Sequence, residues 1–198
     1  MFIQTEDTPN PDTLKFLPGD TVLKTGSVDF SNAESSVTSP LATRLFEIEG
    51  VSRVFLSSDF ISVTKESALE WNTLKPSILT GIMEHYSSGL PALNTEADIT
   101  EDNSAEDTET IKQIKDLLET RVRPAVAMDG GDISFCSFEA GVVTLQMKGA
   151  CAGCPSSTAT LKMGIENMLR HYIPEVTEVK AAESVSYTHL RAHETKTD

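Results

Sequence analysis

The sequence predicts an α+β protein of two small α/β-sandwich-type domains joined by an acidic linker, and three observations predict it. The C-terminal part reads in the order α-β-β-α-β, a small sheet covered by two helices. The N-terminal part combines a β-hairpin pattern with stretches of helical periodicity. Between them, residues 89–108 (GLPALNTEADITEDNSAEDT) hold Glu96, Asp98, Glu101, Asp102, Glu106 and Asp107, with no Lys or Arg. Such a segment is solvated and self-repelling, and it reads as a flexible tether. At 198 residues the chain is long enough for two modest cores. The expected division is a first domain over 1–88, the linker over 89–108, a second domain over 109–183, and a tail over 184–198.

In the first domain, TLKFL (13–17) is strand-like and stops at the turn dipeptide Pro18-Gly19. Ser39-Pro40 opens a short helix with Leu41, Leu45, Phe46 and Ile48 on one face. The stretch VSRVFLSSDFISVTK then alternates, with Val51, Val54 and Leu56 before a Ser-Ser-Asp turn and Ile61 and Val63 after it, and predicts a hairpin. Trp71, Leu74, Ile78, Ile82 and Tyr86 recur at helical spacing, with Pro76 placed in the first turn of a second helix. His85, in the last turn, is expected to be an exposed helix-end histidine. No residue of this domain reads as catalytic.

The second domain opens with a helix after Asp107, whose apolar face is Ile111, Ile114, Leu117, Leu118 and Val122, and Pro124 is expected to end it. Asp129-Gly130-Gly131-Asp132 reads as a turn in which the glycines permit positive φ. The two aspartates are expected to form the turn rather than to act as paired carboxylates. Two strands follow, joined at Glu139-Ala140-Gly141. Cys136, mid-strand between Phe135 and Phe138, is expected to be a buried structural thiol. Beyond Pro155 runs a helix with Leu161, Ile165, Met168, Leu169, Tyr172 and Ile173 facing inward, and VTEVKAA (176–182) supplies a last strand.

Composition excludes several classes of function. A net charge of −14 without clustered Lys and Arg disfavours nucleic acid. No apolar run is long enough to span a membrane. The start, MFIQTEDTPN, shows neither a secretory signal nor an arginine-rich import leader, so the expected compartment is the cytoplasm, or the mitochondrial matrix for a mature organellar form. Three cysteines argue against a disulfide framework. The tail string VSYTHLRAHET resembles a reading-frame translation of a sequencing adapter, so the histidine pair His189 and His193 is set aside with it. No nucleophile–base pair or phosphate loop is legible, and the protein is expected not to be an enzyme.

The chemistry concentrates in GACAGCPSST (149–158), where Cys151 and Cys154 stand two residues apart before a proline. Pro155 suits the first position of a helix, whose free N–H groups and positive partial charge favour thiolate over thiol. Gly149 and Gly153 allow close backbone approach. Three readings compete. A dithiol oxidoreductase would use the pair alone, although no preceding Trp-Cys and no βαβ unit leads into the motif. A structural zinc site needs four ligands, and so does an iron–sulfur cluster with its usual all-Cys ligation. One chain offers half of either set, and His171 lies a whole helix away. Zinc and cluster therefore agree on a dimer and differ in the metal.

The same residues resemble the NifU-like, Nfu-type iron–sulfur carrier proteins. In the first domain the likeness rests on MFIQTEDTPNPDTLKFLPG, SPLATRLFEIEGVSRVF, DFISVTK and WNTLKPSILTGIMEHYSSGLP. In the second it rests on RPAVAMDGGDISF and GVVTLQMKGACAGCPSSTATLKMGIENML. The resemblance implies that two C-terminal domains hold one [4Fe-4S] cluster between their CxxC pairs, with [2Fe-2S] as the secondary expectation. Cys151 and Cys154 fall on the family's ligand positions. It further implies delivery of the cluster to apo iron–sulfur proteins, receipt from an upstream assembly scaffold, and partner recognition by the N-terminal domain. The expected departures are Cys136 and the replaced C-terminus.

Overall fold

A computed structural model describes residues 1–94 and 107–182. Most of the expected linker and the whole of the expected tail, including His189 and His193, lie outside the described residues.

The first domain is a five-stranded antiparallel sheet with helices on one face. Its strands are β1 (Gln4–Asp7), β2 (Thr13–Leu17), β3 (Val28–Phe30), β4 (Val51–Leu56) and β5 (Ile61–Lys65), ordered β1-β2-β5-β4-β3. The expected hairpin is β4–β5, in register Val54↔Val63 and Leu56↔Ile61. Alternation sends Leu14, Phe16, Val54, Leu56, Ile61 and Val63 to one side. There they meet Leu41, Ala42 and Leu45 of α1 (Pro40–Phe46) and Leu74, Ile78 and Ile82 of α2 (Trp71–Ser88). Ser39 caps α1, its hydroxyl accepting from the Ala42 N–H at 3.0 Å and donating to the Ala92 carbonyl at 2.5 Å. Ala92 and Leu93 pack against the same core, so residues 89–94, assigned by sequence to the linker, lie on the first domain.

Two expectations are corrected here. Pro76 lies inside α2, which runs unbroken from Trp71 to Ser88. The proline forgoes one hydrogen bond near the helix start, and the apolar face on both sides of it is buried. His85 is 2% exposed, because it continues the Ile78–Ile82 face inward. Burial, with Arg44 nearby, lowers its pKa, and its Nδ1 has no hydrogen-bond partner.

The second domain holds β6 (Gly131–Glu139), β7 (Val142–Gly149) and β8 (Glu178–Ala181) in the order β6-β7-β8. The β6–β7 pair is antiparallel and turns at Ala140 (φ 49°) and Gly141 (φ 80°). The β7–β8 pair is parallel, so β7, α5 (Pro155–Tyr172) and β8 form a βαβ unit. The first helix does not end at Pro124. It passes from α3 (Glu109–Leu117) through a π-helical turn, Leu118–Val122, into α4 (Arg123–Met128). Pro124 falls in the first turn of α4, where its missing N–H costs little. Ile114, Leu118, Val122 and Val126 then continue one buried face onto Ile133, Val143, Leu145, Ile165, Leu169 and Val179.

Cys136 is exposed, which overturns the buried-thiol expectation. The register steps from Phe135↔Leu145 to Ser137↔Thr144, leaving Cys136 as the extra residue of a β-bulge. As the unpaired bulge residue, Cys136 faces solvent although Phe135 and Phe138 beside it pack on the core.

Candidate functional site: a cysteine pair at a strand-to-helix turn

β7 ends at Gly149, and the chain turns through Ala150, Cys151, Ala152, Gly153 and Cys154 into α5. Gly149 (φ 61°) and Gly153 (φ 79°) both adopt the left-handed conformation this turn requires. Cys154 is the N-cap of α5 with extended backbone, and its carbonyl accepts the Thr158 N–H at 2.9 Å. Its sulfur lies 3.4 Å from the Ser156 hydroxyl. The Thr158 hydroxyl donates to the Cys151 carbonyl at 3.0 Å and ties the loop to the first helical turn.

The two sulfurs occupy different settings. Cys154 is half-buried at the helix N-terminus, and Cys151 is 6% exposed within the second domain's apolar cluster. Burial pushes the Cys151 thiol up to about 12, and the charges of Asp129 and Asp132 add to the effect. The sequence argument that the helix start favours thiolate thus applies to Cys154 by position. It fails for Cys151, which stands three residues earlier and is buried.

Gly131 and Gly149, paired across β6 and β7, make room for this loop. A Cβ on Gly131 would overlap Cys151 Sγ and stand 2.8 Å from the Lys148 carbonyl oxygen. A Cβ on Gly149 would stand 2.7 Å from the Gly130 carbonyl oxygen and 3.0 Å from the Phe55 ring.

Phe55 belongs to the first domain, and its proximity is the main feature that the sequence reading missed. The outer face of the five-stranded sheet, opposite α1 and α2, rests on the cysteine-bearing end of the second domain. Ser62 Oγ donates to the Gly130 carbonyl at 2.6 Å, and Ser27 Oγ donates to Asp132 Oδ2 at 2.6 Å. The Gly149 N–H donates to Asp29 Oδ1 at 3.3 Å, and Lys15 Nζ reaches the Met128 carbonyl at 3.4 Å. Phe55 is fully buried and packs with Phe60, their ring centroids 5.8 Å apart. Burying such a ring is worth about 1.5–3 kcal/mol relative to exposure. The available signal was the run Val54-Phe55-Leu56, which puts an apolar ring on the face that alternation sends to water.

Charged groups pin this contact. Asp29 pairs with Arg53 at 2.8 Å, and burial raises its pKa against the pull of Arg53 and the Gly149 N–H. Asp132 is a strand residue and an anchor rather than a plain turn former. It accepts from Arg123 Nε at 2.9 Å, Arg123 Nη2 at 3.0 Å, the Ile133 N–H at 2.8 Å, and Ser27. The arrangement raises the Arg123 pKa, chiefly through its hydrogen bonds to Asp132.

A cleft of about 380 Å³ opens beside the cysteine loop, lined by Pro9, Asp129, Ala150, Cys151, Ser156 and Leu161 among others. Among the described residues, no group of three or more His, Cys, Asp or Glu side chains is placed to hold a metal ion. His171, near the far end of α5, stacks edge-on with Tyr172, their ring centroids 5.0 Å apart. No helix among the described residues is long and apolar enough to cross a membrane.

Fold and site together define a two-domain α+β protein that presents a cysteine pair between a strand and the helix it caps. The family model described as scaffold protein Nfu/NifU N-terminal matches residues 3–89, and the model of the NifU-like domain matches residues 114–180. The chain belongs to the Nfu/NifU scaffold protein family. It is 54% identical to NifU-like protein 4, mitochondrial, of Arabidopsis thaliana over 91% of this chain and 65% of that one. It is 53% identical to the human NFU1 iron-sulfur cluster scaffold homolog, mitochondrial, over 91% of this chain and 71% of that one. The chain thus spans roughly two thirds of the length of these relatives. A NifU-like protein of Saccharomyces cerevisiae, solved in solution, aligns with TM-score 0.44 and 26% identity over 48% of this chain and 87% of that one.

Proposed function

We propose that this protein is a carrier of iron–sulfur clusters, with Cys151 and Cys154 of two chains together holding one [4Fe-4S] cluster as cargo. The observation that carries the reading is the placement of both thiols on one strand-to-helix loop, inside the segment matched by the NifU-like domain. The donor set supports it. Two thiolates per chain are half of a four-thiolate shell, and the described residues bring no third ligand beside them. The helix N-terminus at Cys154 directs N–H groups and positive partial charge toward an anionic cluster. Ligands on a loop at a two-chain junction can be displaced one edge at a time by a recipient's thiolate, as cargo release requires.

The remaining parts follow from the same reading. The chain turns over no small substrate, receives its cluster from an upstream scaffold, and delivers it to apo iron–sulfur proteins. The N-terminal domain, residues 1–88 as first divided, supplies partner recognition, and residues 109–183 hold the cargo. The relatives carry mitochondrial names, which favours the matrix over the cytoplasm as the compartment. The β7–α5–β8 unit carries the pair at its strand-to-helix turn, a placement that a dithiol oxidoreductase shares, so the loading experiment decides between the two readings.

Anaerobic loading with iron and sulfide tests the proposal. The expected product is brown, with broad absorption near roughly 400 nm from thiolate-to-iron charge transfer and about two iron atoms per chain. Colourless protein containing zinc would support the zinc-bridged module instead. Metal-free protein that reduces a test disulfide would support the oxidoreductase.

A further inference from the structure

We propose that the outer face of the N-terminal sheet is a binding surface for this chain's own cysteine loop. In the metal-free chain it grips that loop in cis, and it must release the loop before a second chain can add its own cysteine pair. The grip itself is independent of the proposed cargo; the competition with a second chain rests on the two-chain reading above.

Hydrogen bonds reach both ends of the β6–β7 pair's cysteine-bearing edge. Ser62 and Lys15 hold the Met128–Gly130 segment through backbone carbonyls, Ser27 holds Asp132, and Asp29 holds the Gly149 N–H. These partners surround the loop on two sides. Pro9 forms part of the wall of the cleft beside Cys151. On the other side, Ser27, Asp29 and Arg53 line a second cleft of about 430 Å³ with Ala152, Gly153 and Thr158.

An antiparallel sheet with helices on one face ordinarily leaves the other face to water. Here that face carries a fully buried aromatic ring and further residues at most 7% exposed, among them Lys15, Phe60 and Ser62. Lys15 Nζ sits 4.7 Å above the Phe60 ring centroid and 3.3 Å from Glu6 within its own domain, and it reaches across to the Met128 carbonyl. Gly149 completes the fit, since any side chain there would meet Phe55.

The consequence is a competition. A second chain must bring its cysteines to the loop now flanked by Pro9, Asp29 and Arg53. Cis grip and trans pairing therefore exclude each other, and whatever loosens the grip favours loading. A surface that recognises the loop in cis is also placed to sense whether it carries cargo, because loading displaces it.

Phe55→Glu and Ser62→Glu test the proposal on the metal-free full-length chain, since both side chains point away from the first domain's own core. Ser27→Ala is the mild variant that removes one hydroxyl. Amide hydrogen exchange is the probe, read by NMR at the Gly149 N–H that Asp29 holds, with the core amides of the β6–β7 pair as the internal reference. The expected result is Gly149 exchange about tenfold faster in the Glu variants, in proportion to the released population. Ser27→Ala should move it in the same direction by less. Unchanged circular dichroism confirms that both domains remain folded. A Gly149 rate within about twofold of the parent in both folded Glu variants would overturn the proposal. So would faster iron uptake without faster Gly149 exchange. Faster exchange in variants that, like the parent, take up no iron would leave the grip standing and sink the cargo reading.

Discussion

Replacing Gly131 by alanine probes the site where strand pairing and the cysteine loop meet. The added Cβ would collide with Cys151 Sγ, and it would stand 2.8 Å from the Lys148 carbonyl oxygen and 3.0 Å from the Cys151 nitrogen. The sulfur sits on a short side chain within its apolar cluster, and the other two atoms are backbone. Either Cys151 leaves the core or β6 and β7 separate where Gly131 faces Gly149. Overpacking of this kind costs about 1–3 kcal/mol. For a domain of this size, each kcal/mol shifts the melting temperature by about 4–8 °C. Calorimetry should therefore show the second domain's transition falling by roughly 4–24 °C, with faster Cys151 alkylation below it. Gly164→Ala is the control, because nothing lies within 4 Å of its would-be Cβ. On a helix it should stabilise by about 0.5–1 kcal/mol. If Gly131→Ala melted with the parent and left Cys151 equally protected, the packing argument would be wrong.

Three further outcomes follow from the same structure. Cys151 binds its proton more tightly folded than unfolded, so its contribution to stability is pH-independent below about 9 and is lost as pH rises toward about 12. That difference corresponds to about 4 kcal/mol, and a denaturant titration series across alkaline pH should show the decline in the parent and a smaller one in Cys151→Ala. Ser39→Ala removes both the cap of α1 and the tie to Ala92, and urea unfolding should show the first domain weakened by about 1–2 kcal/mol. Cys136→Val on the exposed bulge should leave iron content per chain unchanged, and a halved content would make Cys136 a ligand.

Much of the fold was legible because the physics is local. The β4–β5 hairpin follows from alternation around Ser57, Ser58 and Asp59, and α5 from Pro155 and an apolar repeat that keeps Ile165 and Leu169 inside. The cysteine pair stood out by spacing alone. Strands β1 and β3 did not, since QTED and VDF are short edge segments whose state is decided by pairing with β2 and β4. Pro76 and Pro124 were read as boundaries because proline is unfavourable in helices, yet tertiary burial and a π turn carry the helices past them. The Cys136 bulge lies beyond a two-residue period. Above all, the one pattern that hints at contact between the domains, the apolar Phe55 on an outward face, does not name its partner. Phe55, Ser62 and Asp29 therefore gained meaning only when the second domain was placed against them.

Sedimentation velocity with iron analysis on the same fractions, before and after anaerobic loading, bears most directly on the sharing of one cluster by two chains. The account predicts monomer without iron, dimer with about four iron atoms per pair, and neither dimer nor iron once Cys151 and Cys154 are both serine. Iron sedimenting with a single chain, or retained by the double-serine protein, would contradict it.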